Sequence, residues 1–195
     1  EIARECMEKI FRPTVEAMNA EGRTFRGCLY FGLMLTPKGP RVIEYNCRFG
    51  DPETQVVLPL LRGDLLEIME ATAQGRLREA EASILPGAGC VVLASGGYPG
   101  KYETGKEISG LDEEGQLPSG RAQVYHAGTR REAGEDGGMC YYTAGGRVLG
   151  ITALGDTLPE AVRAAYDAAQ GVDFEGRHLR ADIGRRALEA QKGEG

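Results

Sequence analysis

The stretch VIEYNCRFGDPETQ, residues 42–55, gathers side chains that could bind a metal ion and phosphate. Glu44 and Asn46 stand two residues apart in a segment with the pattern of a β-strand, so both should project from one face. Carboxylate and carboxamide oxygens suit Mg²⁺, which takes few protein ligands and completes its shell with water and phosphate oxygens. Arg48 follows the strand, where its guanidinium could brace a transferring phosphoryl group. On spacing alone, a surface strand with solvated polar side chains stays open as the alternative, because a Glu-x-Asn pair is short and common.

The overall composition is that of a soluble globular protein. The chain has 195 residues, which suffice for one large domain or two small ones with a buried core. A net charge of −6 provides no basic footprint for nucleic acid as a partner. No apolar run approaches the roughly 20 residues of a membrane helix, and the first residues do not read as a signal peptide. These features predict a cytoplasmic protein that binds neither nucleic acid nor a membrane.

The cysteines predict reduced thiols rather than disulfides or a zinc site. There are five, an odd number, and no two of them form a Cys-x-x-Cys pair. Scattered single cysteines are typical of a reducing compartment, where they serve as small core or subsurface residues. They are Cys6, Cys28, Cys47, Cys90 and Cys140.

Periodicity predicts two helices and a β-hairpin in the first part of the chain. Apolar residues at helical spacing indicate a helix over residues 2–18, with a kink at Pro13. Residues 28–36 and 41–46 read as two strands joined by a Pro-Lys-Gly turn, and the second strand carries the acid–amide pair. A further helix is expected within residues 63–77.

An acidic stretch bearing glycine and proline, residues 78–89, marks the predicted domain boundary. It separates a first domain, residues 1–80, from a second, residues 85–195. Beyond the boundary short strands alternate with glycine turns, and the last two strands are expected to pair as a hairpin across Gly145-Gly146. The strands are expected at residues 89–95, 122–128, 140–144 and 147–155.

Residues 157–171 have the clearest helix signals of the chain. Thr157 is placed as the N-cap, Glu160 lies in the first turn, and Gly171 follows the end. A final short helix is expected over residues 183–191. The second half is therefore predicted to be α+β, without repeats or low-complexity tracts.

Several long blocks of the sequence resemble one enzyme family, in order and over essentially the whole chain. The family is that of the glycinamide ribonucleotide synthetases, purine-pathway ligases also called phosphoribosylamine–glycine ligases. A single Glu-x-Asn pair is a weak signal, whereas long blocks in the same order are a strong one. The blocks are GCLYFGLMLT, RVIEYNCRFGDPETQVVLPLL, VVLASGGYPGKYETGKEISG, VYHAGT, GGRVLGITALGDTLPEAVRAAY and LRADIGRRAL.

The resemblance implies a fold and a reaction. The fold is α+β: the C-terminal part of an ATP-grasp domain, residues 1–80 with the metal-binding strand, is followed by the family's small mixed α+β C-terminal domain, residues 85–195. In the reaction ATP phosphorylates the carboxylate of glycine, and the amine of 5-phosphoribosylamine attacks the glycyl phosphate. The products are glycinamide ribonucleotide, ADP and phosphate. ATP, glycine and 5-phosphoribosylamine are thus the expected partners, with Mg²⁺ or Mn²⁺ as cofactor.

The resemblance also implies roles for residues of the opening stretch. It carries the family's metal ligands to Glu44 and Asn46, while Arg48 is expected to steady the γ-phosphate or the acyl phosphate. Asp51 and Glu53 have two open interpretations: they hold the glycine ammonium or the phosphoribosylamine amine, or they pin the loop by accepting backbone N–H groups. Many ATP-grasp ligases supply a further carboxylate from the paired strand, but CLYFGLMLT contains no acid.

The resemblance begins late in the family's sequence. The family's N-terminal glycine-rich domain and the ATP-grasp segments that clamp adenine are not found in the chain, which opens inside a predicted helix without a cap. The chain is therefore expected to be a fragment, inactive alone, whose partner is the missing N-terminal portion of the same enzyme. Two alternatives are another ATP-grasp carboxylate–amine ligase and a non-catalytic binding module that retains the fold.

Two places outside the opening stretch have open interpretations. The glycine-rich loop at residues 95–106 contains Lys101 and Lys106 and could cradle a phosphate through backbone N–H groups, or it could be structural. It lacks the Ser or Thr that a P-loop requires. His126, at a predicted strand end, could lie near the substrate or could be a hydrogen-bonded structural residue.

Overall fold

The computed structural model of the protein describes residues 1–134 and 137–193, which form an α+β structure. The chain divides into two compact units, the first made of Glu1–Asp51 and Gly63–Ser83 and the second of Pro52–Arg62 and Ile84–Gly195. The predicted domains, residues 1–80 and 85–195, differ from these units mainly at residues 52–62. The helix in that segment contacts strands of the second unit.

The first unit opens with the predicted helix. It comprises α1 (Ile2–Cys6), a π-helical turn (Met7–Phe11) and α2 (Arg12–Ala20). The π-helical turn ends two residues before Pro13, which has no N–H to donate to the carbonyl four residues before it. The structure thus has a π-helical turn near Pro13, where the sequence predicted a kink. Gly22 follows the helix with a φ of +73°, a conformation that favours glycine.

The predicted hairpin follows, and a second helix completes the first unit. Strands β1 (Tyr30–Thr36) and β2 (Gly39–Asn46) pair in antiparallel fashion. Helix α4 (Leu65–Ala73) has Asp64 as its N-cap residue, whose carboxylate accepts hydrogen bonds from two backbone N–H groups of the first turn. A 3₁₀ turn (Leu77–Glu79) follows α4. Among the described residues, no helix has the length and apolar character needed to cross a bilayer.

In the part of the chain that the structure describes, the remaining strands are two short ones and six that form two three-stranded sheets. Helix α3 is Thr54–Leu60, β3 is Leu61–Arg62 and β4 is Ser83–Ile84. The first sheet has the order β5-β10-β7 and the second has the order β6-β9-β8. Their bounds are β5 Gly87–Ala94, β6 Glu107–Ile108, β7 Gln123–His126, β8 Thr129–Ala133, β9 Met139–Thr143 and β10 Arg147–Gly155.

The predicted hairpin across Gly145-Gly146 is wrong. Both strands exist, but β9 lies in the second sheet and β10 in the first. The carbonyls of the connecting turn accept hydrogen bonds from Ser95: its N–H donates to Gly146 O (2.8 Å) and its hydroxyl to Gly145 O (2.9 Å). The N–H of Ala144 donates to Gly128 O (2.8 Å). In a hairpin the Ala144 N–H would bond across the turn, whereas here it bonds to Gly128, and Ser95 binds the carbonyls of the turn itself.

Helix α5 (Leu158–Ala169) covers one face of the first sheet and builds the main core. Its N-terminus has a capping box, because Thr157 Oγ1 accepts from Glu160 N–H and the Glu160 carboxylate accepts from Thr157 N–H. This confirms the predicted helix over residues 157–171, and α6 (Arg185–Gly193) confirms the short helix predicted near the end of the sequence.

The packing of α5 on the sheet depends on a glycine of β5. A Cβ on Gly89 would lie 2.9 Å from Val162 Cα, so this glycine allows the close approach of strand and helix. The largest fully buried apolar side chains of the main core are Val91, Leu93, Val148, Leu149, Ile151 and Val172.

All five cysteines lie in the described part of the chain and are free thiols, as predicted. Cys6 is buried, and Cys28, Cys90 and Cys140 are partly buried. Cys47 is exposed, contrary to the prediction that every cysteine is a core or subsurface residue. It lies directly after β2, where the chain has left the hairpin.

Candidate functional site

A β-bulge in the hairpin determines how the acid–amide pair is presented. Gly32 pairs with Glu44 and the next residue of β1, Leu33, pairs with Val42, so Ile43 is the extra residue of the bulge. Glu44 and Asn46 project from the same face of β2, since Asn46 Nδ2 donates a hydrogen bond of 3.0 Å to Glu44 Oε1. The strand therefore holds a carboxylate and a carboxamide side by side.

Gly32 leaves the space that the Glu44 side chain occupies. A Cβ at position 32 would lie 2.7 Å from Glu44 Cγ and 3.4 Å from Glu44 Oε1. Any other residue at this position would push the carboxylate away. Sequence analysis missed this residue. The available signal was the glycine in β1, whose partner across the hairpin follows from the position of the turn and the bulge.

Arg48 extends the pair into a row of three hydrogen-bonded side chains. Its Nη2 donates to Asn46 Oδ1 at 3.4 Å, and its Nη1 donates to the Phe49 carbonyl at 2.7 Å. The neutral amide thus separates a negative carboxylate from a positive guanidinium. Glu44 and Arg48 are exposed and Asn46 is half-buried, so the row is accessible to a ligand from solvent. Chemically, this arrangement offers oxygen ligands to a cation at one end and N–H donors to an anion at the other.

Asp51 and Glu53 lie in an exposed turn after this row. Asp51 is the last residue of its segment in the first unit, whereas Glu53 belongs to the second unit. Glu53 is the N-cap residue of α3, and its carbonyl accepts hydrogen bonds from Val56 N–H (3.0 Å) and Val57 N–H (2.9 Å). Its side chain makes no capping bond to the helix. Glu53 therefore begins α3 through its backbone carbonyl.

The described residues contain no cluster of three or more His, Cys, Asp or Glu side chains that could hold a metal ion. Glu44 is the only acid of the Glu44–Asn46–Arg48 row. The row therefore differs from an all-protein cage such as a structural zinc site.

Comparison with known proteins decides the family. The model "Phosphoribosylglycinamide synthetase, C domain" matches residues 88–186. The model "Phosphoribosylglycinamide synthetase, ATP-grasp (A) domain" matches residues 1–54, which contain the Glu44–Asn46–Arg48 row. The chain belongs to the phosphoribosylglycinamide synthetase family.

Relatives within the phosphoribosylglycinamide synthetase family are similar along almost the whole chain. A phosphoribosylamine–glycine ligase of Caldanaerobacter subterraneus is 49% identical over 180 residues, covering 92% of this chain and 41% of the relative. One of Chlorobaculum tepidum is 45% identical over 193 residues, covering 96% and 43%. The crystal structure of phosphoribosylamine–glycine ligase from Thermotoga maritima superposes with a TM-score of 0.69 at 38% identity, covering 92% of this chain and 42% of that one. The chain thus spans about two fifths of the length of the relatives it matches.

The glycine-rich loop, residues 95–106, has contacts within the protein that favour the structural interpretation. Lys106 Nζ lies 3.0 Å from a Glu175 oxygen and 3.1 Å from a Glu103 oxygen. Its hydrogen bonds to Glu175 and then Glu103 raise the pKa of Lys106. The N–H of Gly105 donates to Thr143 O at 2.6 Å. Lys106 and Gly105 are therefore engaged within the protein.

His126 is hydrogen-bonded through both ring nitrogens, which favours the structural interpretation. Its Nε2 lies 2.9 Å from Gly115 O, and its Nδ1 lies 2.8 Å from Thr129 Oγ1. A carbonyl only accepts, so Nε2 donates to Gly115 O, and Nδ1 shares the second hydrogen bond with the Thr129 hydroxyl. The ring also packs against Tyr141, with centroids 5.1 Å apart. Both ring nitrogens are thus hydrogen-bonded within the protein, one to the turn at Gly115 and the other to Thr129 of strand β8.

Proposed function

We propose that the chain provides the metal-binding strand and the C-terminal domain of a phosphoribosylamine–glycine ligase of purine biosynthesis. The observation that carries this proposal is the Glu44–Asn46–Arg48 row at the end of strand β2, within the segment that matches the ATP-grasp family model. The names of the relatives support the same reaction. Free cysteines favour a reducing compartment, and we place the enzyme in the cytoplasm.

The reaction has two steps. A carboxylate oxygen of glycine bonds to the γ-phosphorus of ATP while the bond from that phosphorus to ADP breaks, which forms glycyl phosphate. The amine nitrogen of 5-phosphoribosylamine then attacks the acyl carbon, phosphate leaves, and the nitrogen loses a proton to give glycinamide ribonucleotide. The first step brings an anionic carboxylate to an anionic triphosphate, so positive charge must offset the repulsion.

Glu44 and Asn46 fit a divalent cation in this role. Their donors are a carboxylate and a carboxamide oxygen, the types that Mg²⁺ and Mn²⁺ prefer, and the hydrogen bond between the side chains keeps them together. A bound ion would neutralise charge on the phosphates. Asn46 orients Glu44 by donating to its Oε1, and with few protein ligands the remaining coordination positions are left to phosphate oxygens and water.

Arg48, Asp51 and Glu53 complete the proposed site. A guanidinium presents several N–H donors, so the two bonds to Asn46 and Phe49 leave Arg48 able to bind the γ-phosphate or the acyl phosphate. Asp51 and Glu53 would hold the glycine ammonium or the phosphoribosylamine amine.

The substrates also need parts that the relatives carry and these residues do not cover. An ATP-grasp site encloses nucleotide between two parts, and the ATP-grasp family model matches only residues 1–54. We infer that the 195 residues bind nucleotide poorly and do not turn over by themselves. Their partner in catalysis is the remaining portion of the enzyme.

The test is ADP release that depends on both glycine and phosphoribosylamine. It is measured first for the 195 residues alone. It is then measured for a fusion protein, called the reconstituted ligase, in which the part of the Caldanaerobacter ligase that precedes the matched region is fused to the N-terminus of the 195 residues. Turnover is expected only in the reconstituted ligase and only with both substrates. A preference for another acceptor amine would contradict the proposed substrate, and turnover by the 195 residues alone would contradict the need for the upstream portion.

A further inference from the structure

Helix α3 contains a proline that removes one of its own hydrogen bonds. In an α-helix the carbonyl of each residue accepts from the N–H four positions later. The carbonyl of Gln55, in the first turn of α3, would take that bond from residue 59. Residue 59 is Pro59, which has no N–H. Pro59 therefore cannot give the Gln55 carbonyl its usual helical hydrogen bond.

Thr152 of β10 donates to this carbonyl instead. Its Oγ1 lies 2.9 Å from Gln55 O, and since a carbonyl only accepts, the hydroxyl donates. Thr152 is 2% exposed and lies in the middle strand of the first sheet, opposite Cys90 of β5 and Gln123 of β7. A hydroxyl buried to this degree needs a partner, and the Gln55 carbonyl supplies it.

The surrounding contacts show that α3 is seated on this face of the sheet. Gly150, two residues before Thr152 on β10, points the same way, and a Cβ there would lie 3.8 Å from Gln55 Cγ. The other end of α3 is held as well, because Leu85 N–H donates to Leu60 O at 2.8 Å. Helix α3 is therefore hydrogen-bonded at both ends to other parts of the second unit, and Thr152 makes the bond in the first turn.

We propose that Thr152 is a positioning residue. Its hydroxyl replaces the donor that Pro59 cannot supply to the Gln55 carbonyl, and it thereby fixes the first turn of α3 and its N-cap residue Glu53. The catalytic consequence rests on the proposed function, in which Glu53 holds an amine group of a substrate. The contact itself does not depend on that function.

Amide hydrogen exchange of the 195-residue chain tests the contact. The amides of Val56 and Val57 report the first turn, because both donate to Glu53 O. Thr152→Val removes the hydroxyl at nearly constant shape and is expected to speed exchange at these amides about 5- to 10-fold, the effect of one hydrogen bond. Thr152→Ser keeps the hydroxyl and should exchange like the wild type. Unchanged exchange in Thr152→Val would overturn the proposal.

Thr143→Val is the matched control. Thr143 is also a fully buried threonine, but it lies in the second sheet, where its Oγ1 accepts from Lys106 N–H. It should leave exchange at Val56 and Val57 unchanged. An equal acceleration in both valine variants would mean that the effect is general destabilisation, and the proposal would be wrong.

Pro59→Ala tests the reason for the contact. Alanine restores an N–H four residues after Gln55, so the helix itself can satisfy the carbonyl. In the Pro59→Ala protein, Thr152→Val is expected to change the exchange rates of the Val56 and Val57 amides by less than about 2-fold, which is within the error of additivity. If Thr152→Val speeds amide exchange equally in the Pro59 protein and in the Pro59→Ala protein, Thr152 does not replace the donor that Pro59 lacks, and this part of the proposal would be wrong. Should Thr152→Val not fold, Thr152→Ala is compared in the two backgrounds with the same criteria.

The reconstituted ligase tests the consequence for catalysis. Thr152→Val is expected to raise KM for glycine or for phosphoribosylamine at least about 5-fold, more than it lowers kcat, with rescue by Thr152→Ser and by Pro59→Ala. An active ligase whose KM values do not change would overturn the positioning role. A wild-type reconstituted ligase without any turnover would count against the proposed function, while the exchange experiments would still decide the contact.

Discussion

Gly32 lies directly across the hairpin from Glu44, and the absence of a side chain at Gly32 leaves room for the Glu44 carboxylate. A Cβ at Gly32 would lie 2.7 Å from Glu44 Cγ, too close for two carbon atoms. The contact involves a flexible exposed side chain rather than backbone, so rotation of Glu44 would relieve it. The position of the proposed metal ligand thus depends on a residue that has no chemical group of its own.

Gly32→Ala should therefore weaken metal binding and leave the fold intact. We expect the half-saturating Mn²⁺ concentration of the reconstituted ligase to rise about 10- to 100-fold, the usual cost of disturbing the surroundings of a metal ligand. Mn²⁺ titration of the activity measures the half-saturating concentration, and circular dichroism checks that the fold is intact. Met34→Ala, an exposed position of the same strand, is the control. Wild-type Mn²⁺ affinity in Gly32→Ala would contradict the proposed role of Glu44.

Glu44→Gln should abolish most of the activity at little cost in stability. The substitution keeps the shape and removes the negative charge that would hold the cation, so kcat of the reconstituted ligase is expected to fall at least about 100-fold. Glu44 is exposed, and the thermal midpoint of the variant should stay close to that of the wild type. Glu16→Gln makes the same change at an exposed position of α2 and should retain full activity. Comparable rates in the two variants would instead favour a non-catalytic binding module.

His126→Ala should destabilise the second unit. It removes both ring hydrogen bonds and leaves the Gly115 carbonyl without this donor, which costs about 1–3 kcal/mol of unfolding free energy. Urea unfolding of the 195 residues measures this change. The other histidine provides the control: His178 is exposed and pairs with Ala94 through backbone groups, so His178→Ala should change stability by less than about 0.5 kcal/mol. Equal stability of the two variants would show that the His126 bonds contribute nothing.

The pKa of Asp182 should be low and should depend on Arg180. The guanidinium donates from Nε and Nη2 to both carboxylate oxygens at 2.9 Å, and these bonds lower the pKa of Asp182 below its ordinary 3.8. The ionised carboxylate therefore stabilises the fold fully above pH 3.8, and this contribution is lost as the pH falls through the lowered value. NMR titration should show Arg180→Ala moving the pKa up toward 3.8, whereas Arg163→Ala, an equal change of charge on α5, should not. A titration of Asp182 that is the same in both variants would refute the pairing.

The sequence by itself determined the elements whose signals are local. The capping box at Thr157, the helical spacing of residues 2–18 and the turn between the strands at 28–36 and 41–46 each lie within one short window. A β-strand alternates its side chains, so the shared face of Glu44 and Asn46 also follows from two neighbouring positions. The family follows from the residues as well, because the blocks of resemblance are contiguous stretches of sequence that need no folding to be compared.

Only the tertiary structure decided which distant groups meet. Two strands joined by Gly145-Gly146 have the local pattern of a hairpin, and only the strand pairing, with the bonds that Ser95 donates and Gly128 accepts, shows that they belong to different sheets. Gly32 opposes Glu44 because of a bulge, and Thr152 reaches Gln55 across 97 positions of sequence. The physical reason is the same in each case: a backbone group needs a hydrogen-bond partner, but the choice of a distant partner depends on how the whole chain packs.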